Sequence, residues 1–122
     1  MNRGSNQSRV LTAVAVYLPE QYPRLLAIAD DASRLEPTWQ AWHQNLQETK
    51  QMASEQGINL IEMTVDLDAL EQYCQERGLT NTSSTRAQFA AHLLSEAHQQ
   101  YTRLHPPIFL KRRSKHKKRR SR

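Results

Sequence analysis

A chain of 122 residues has the length for one domain with its own buried core and not for two. Its formal net charge of +5 is unevenly placed: the last twelve residues, KRRSKHKKRRSR, hold nine of the 17 Lys and Arg and no acid, so the first 110 hold eight bases against 12 acids. A body that is net acidic repels phosphate on average, which argues against a nucleic-acid-binding face spread over the domain and leaves any affinity for polyanions local to the end.

Three segments follow from composition. Residues 1–8, MNRGSNQS, are polar and aperiodic and read as a flexible lead-in; residues 9–110 read as a single α/β domain; residues 111–122 read as a disordered polybasic tail. Val10 to Leu18 is an apolar run after Arg3 and Arg9 and has the length of a signal-peptide core, but Thr12, Tyr17 and the lack of a small-x-small site after it favour a strand. Both alternating sets of that run are apolar, which predicts a strand covered on both faces by helices.

Pro19 and Pro23 suit a first helical turn, and Tyr22, Leu25, Leu26, Ala29 and Ala32 repeat at helical spacing to about Ser33. Pro37 fits the start of a second helix with Trp39, Trp42, Leu46, Thr49 and Ala53 on one stripe and Gly57 just beyond its end. Ile58 to Val65 reads as a second strand. Asp66 then suits an N-cap, with Asp68 in the first turn, Leu67, Leu70, Cys74 and Arg77 at helical spacing, and Gly78 as the stop. Thr85 with Gln88 matches a capping box for a last helix carrying Phe89, Leu93, Ala97, Tyr101 and Leu104, which Pro106 and Pro107 end; Ile108, Phe109 and Leu110 form an apolar hook before the tail.

The predicted order is β-α-α-β-α-α, with a two-stranded sheet, parallel if its strands are neighbours, covered by helices. Two strands alone make a marginal sheet, so completion by a second copy or by a partner strand is expected, and an edge paired across a two-fold axis would supply it.

No group of residues announces chemistry. Cys74 shares a stripe with Leu67 and Leu70, where a thiol behaves as a small hydrophobe; as the only cysteine it forms no intramolecular disulfide, and a reducing cytosol is the expected compartment. His92, His98 and His105 are spaced by six and seven, not the three or four that ligands on one helix need, and His43 lies on another helix. Asp66 and Asp68 are explained by a helix N-terminus; Asp30 and Asp31, near a helix end where acids are unfavourable, suggest a surface turn or a binding role. Trp39 and Trp42 share a face with Leu46 and read as core or interface anchors. The three glycines are scattered, so no phosphate-cradling loop exists, and no cofactor, metal or enzymatic activity is expected. No stretch reaches the ~20 apolar residues of a membrane span, so integral membrane association is not expected.

EMTVDLDALEQYCQERG followed by STRAQFAAHLL resembles the strand, helix and helix of the ribbon-helix-helix DNA-binding family over about a third of the chain. The resemblance implies base reading by outward strand residues, here Glu62, Thr64 and Asp66, two of which are acids that repel DNA.

The strongest functional signal is the tail. Lys111, Arg112, Arg113, Lys115, Lys117, Lys118, Arg119, Arg120 and Arg122 are the candidate polyanion-binding residues, with RNA or DNA as the partner and the chain itself as a further partner in a dimer. Lacking aromatics, the tail offers backbone attraction and no base readout. The alternative is a protein-interaction scaffold whose tail only aids solubility.

Overall fold

The computed structural model describes residues 10–105. The lead-in at 1–8, the hook at 108–110 and the tail at 111–122 lie outside the described residues. The chain forms a small α/β domain, mostly helical, with a two-stranded parallel sheet, as the sequence predicts. In chain order its elements are β1 (Val10–Val16), α1 (Tyr22–Ile28), α2 (Trp39–Glu55), β2 (Ile58–Thr64), α3 (Leu67–Arg77) and α4 (Ser83–Leu104), with short 3-10 turns at Pro19–Gln21 and Ala32–Arg34. Among the described residues no helix is long and apolar enough to cross a membrane.

The strands pair in parallel from Val10 with Ile58 to Val16 with Thr64. Paired residues share a face, so Leu11 and Ala13 lie with Asn59 and Ile61, and Thr12 and Val14 with Leu60 and Glu62. Helix α2 serves the second face, where Lys50 pairs with Glu62; α4 lies along β1. The core gathers at the carboxyl ends of both strands, where Tyr17 and Val65 meet Tyr22, Leu25 and Ala29 from the α1 region, Leu67, Leu70 and Cys74 of α3, and Phe89 of α4.

Local chemistry sets most boundaries. The Thr38 hydroxyl accepts from the Ala41 N–H and caps α2, so Pro37 stands just before the cap and not inside the first turn. Asp66 caps α3 by accepting from the Asp68 N–H, and Gly78 ends it in the left-handed conformation at φ 64°. Asp66 is thereby a cap and not a strand residue, which removes it from the outward set implied by the ribbon-helix-helix resemblance.

Three other expectations need correction. First, β1 is not covered throughout: its amino-terminal half is exposed, Leu11 at 61%, and borders an open groove beside α4. Second, α1 stops at Ile28 and not near Ser33. Ala29 turns extended, and the Asp30 and Asp31 that follow are drawn to the start of α4. Third, α4 begins at Ser83, ahead of the predicted Thr85–Gln88 box, and its apolar face runs past its neighbours, leaving Tyr101 61% and Leu104 71% exposed.

Candidate functional site

All nine predicted polyanion-binding residues, Lys111 to Arg122, lie outside the described residues, so the site is built from what the domain itself presents. The other singled-out side chains scatter. Cys74 is buried in the core; burial, reinforced by the Asp30 charge, pushes its thiol up against an opposing effect of Arg86, so it stays protonated and unsuited to nucleophilic attack. His43 stacks on Trp39 at 4.6 Å, His105 stacks on Tyr101 at 4.4 Å, and His92 lies 3.1 Å from Glu96. Asp68 pairs with Arg24 of α1 at 2.6 Å. Trp39 and Trp42 are half-buried against the core, the Trp39 indole N–H donating to the Tyr17 carbonyl at 2.8 Å. Among the described residues no three His, Cys, Asp or Glu are arranged to hold a metal ion.

One polar cluster is well organised, and it centres on a residue the sequence did not single out. Arg86 is 3% exposed. Its Nη1 and Nη2 meet the two oxygens of Asp31 at 3.0 and 3.2 Å, and Nη1 also donates to the Asn81 side-chain oxygen at 2.9 Å. The Tyr17 phenol lies close enough for the Arg86 charge to act on it, opposing the effect of burial. Asp30 joins from the same turn, its carboxylate accepting from the Asn81 N–H at 2.7 Å while its own N–H donates to the Asn81 carbonyl at 2.8 Å. Asp31 further accepts from the Ser83 N–H at 2.9 Å, a cap for α4 supplied from across the fold in place of one from Thr82.

The cluster joins the α1 turn to the start of α4: Arg86 pairs with Asp31, and Asp30 is held by the Asn81 backbone. It is a clasp: the guanidinium is held by Asp31 through both Nη atoms and by Asn81 through Nη1. A cavity of about 180 Å³ beside it is lined by Asp30, Cys74 and Asn81 among others, and the Asn81 Nδ2 has no hydrogen-bond partner among the described residues. The available signal was spacing, since Arg86 falls three before Phe89 and four before Ala90 on the buried face of α4.

The larger surface feature is a groove of about 580 Å³ between β1 and α4, lined by Leu11, Thr12, Ala13, Ala91, Leu94 and His98 among others. Because both Thr12 and its oppositely facing neighbours line it, the groove follows the outer edge of β1. None of its lining residues carries a carboxylate, ammonium or guanidinium. Its lining is mostly apolar, with Thr12, Ser95 and His98 as the polar side chains.

Compared with family models, with curated proteins and with solved structures, the chain matched none.

Proposed function

We propose that this chain is a non-enzymatic binding protein that attaches to polyanions, nucleic acid foremost, through residues 111–122, by attraction to the phosphate backbone and without sequence readout. The observation that carries the reading is charge separation. Nine Lys and Arg stand in twelve residues with no acid, against eight bases and 12 acids in the remainder, so the body opposes and the end favours contact with phosphate.

Titration of the full chain and of a chain ending at Leu110 against an RNA and a DNA duplex tests it. Full engagement of nine cations gives log affinity falling against log salt with a slope of roughly six to eight, and loss of the tail removes both the binding and the slope. Equal binding by the two chains overturns the proposal.

A second reading, a protein-interaction module whose tail serves solubility, is favoured by the groove along β1. It requires a docking partner and no polyanion. A ribbon-helix-helix mode of DNA reading has less support: Glu62 is acidic and already paired with Lys50, and Asp66 is committed to capping α3.

A further inference from the structure

We propose that the outer edge of β1 and the α4 groove beside it form a homodimer interface, in which β1 pairs antiparallel with β1 of a second copy and the two sheets become one. This deepens the second reading, of the groove as a docking surface, and is independent of the tail.

Natural sheets guard an open edge with charge, proline or a bulge. Here VLTAVAV has none of these, pairs without interruption with β2, and leaves Val10 and Leu11 exposed; among the described residues no other strand meets its far side. The only charged residue of β2, Glu62, is in contrast covered by Lys50.

The register of β1 also suits self-pairing. The Val10 N–H donates to Gly57 and the Val16 carbonyl accepts from Val65, so the even-numbered residues of β1 direct their backbone groups toward β2. The odd-numbered ones, Leu11, Ala13 and Ala15, direct theirs outward. A two-fold axis at Ala13 sets Ala13 against the partner's Ala13 and Leu11 against the partner's Ala15, which satisfies every outward group. It also places a large side chain against a small one at each flank.

Chemistry then selects a second copy. The groove is uncharged, so an acidic or basic segment gains nothing there, whereas the strand that is already present is apolar and self-complementary. Small residues at Ala87 and Ala91 let the two α4 helices approach closely over the joined strands. The seven residues of β1 with five from α4 make about a dozen per copy, below the 20–30 of a standard interface, so the dimer exchanges reversibly at micromolar concentration.

Sedimentation of the full chain over a range of concentrations tests this. The mass is expected to rise from 14.2 kDa toward twice that value. Leu11→Glu, at an exposed position, keeps the monomer's circular dichroism and abolishes the rise. In a Cys74→Ser background, Ala13→Cys forms a covalent dimer under mild oxidant, since directly opposed residues lie about 5.5 Å apart between Cα atoms, within disulfide range. The more exposed Val10→Cys does not, because it faces the partner's Val16. A mass that stays at one chain up to near-millimolar concentration overturns the proposal, as does a dimer that survives Leu11→Glu or that Val10→Cys links as readily as Ala13→Cys. Tail binding to polyanions is measured separately, so its failure is not confused with this one.

Discussion

Arg86 is a buried charge joined to Asp31 and Asn81 in a nearly dry setting. Removing one partner of a buried pair leaves the other charge uncompensated, so Arg86→Met is expected to cost roughly 3–5 kcal/mol, read as a lowered urea midpoint. Two pH effects belong to the same cluster. Burial tends to raise the Asp31 carboxyl, but the bonds from Arg86 and the Ser83 N–H outweigh it and hold the group below the ordinary carboxylate value. Stability from a depressed carboxylate is whole above its unfolded pKa, about 4, and is lost as pH falls through the folded value; acid denaturation is therefore steeper in the native chain than in Asp31→Asn. Burial, opposed by Arg86, pushes Tyr17 up to about 12. Its neutral phenol supports the fold below the unfolded pKa, about 10, and that support fades as pH rises toward the folded value, so Tyr17→Phe flattens the alkaline limb. None of this was legible residue by residue, because composition rules place Arg outside and Asp30 and Asp31 in a surface turn. Only the spacing of Arg86 with Phe89 hinted otherwise.

Elements were legible where their signals are local. Gly57, Asp66 and Gly78 mark ends that depend on a few neighbouring atoms, and the structure places them as the caps and stops their chemistry suits. Gly78 adopts φ 64°, and a β-carbon there would touch nothing, so Gly78→Ala isolates the conformational penalty: about 1 kcal/mol, checked by the shift of the thermal midpoint. Where an element's end is decided by a distant group, sequence could not find it. The stop of α1 and the start of α4 are both set by Asp30 and Asp31 meeting residues about fifty positions away. Periodicity likewise grouped Phe89 with Tyr101 and Leu104, but it reports which residues share a face and not how far a neighbouring element extends to cover it.

At the scale of the molecule, two features lie at different places on the chain: a cationic end and an uncharged groove. Their separation makes their effects separable. If both proposals hold, raising salt weakens tail contacts steeply and leaves the apolar edge of β1 nearly untouched, so polyanion binding falls while self-association persists in the same titration. The proposed dimer would carry two tails on one particle, and Leu11→Glu is then expected to weaken polyanion binding relative to the native chain when probes are long enough to span both.

The parallel ladder has a consequence in time as well as in space. Each rung joins residues far apart in sequence, Val10 with Ile58 at one end and Val16 with Thr64 at the other, with α1 and α2 between them. Closing a loop of that span costs roughly 3 kcal/mol of chain entropy before the first rung is gained, while the helices can form locally within microseconds. During refolding β1 waits as an unpaired apolar strand until its own β2 arrives, and at high concentration the β1 of another molecule can arrive first.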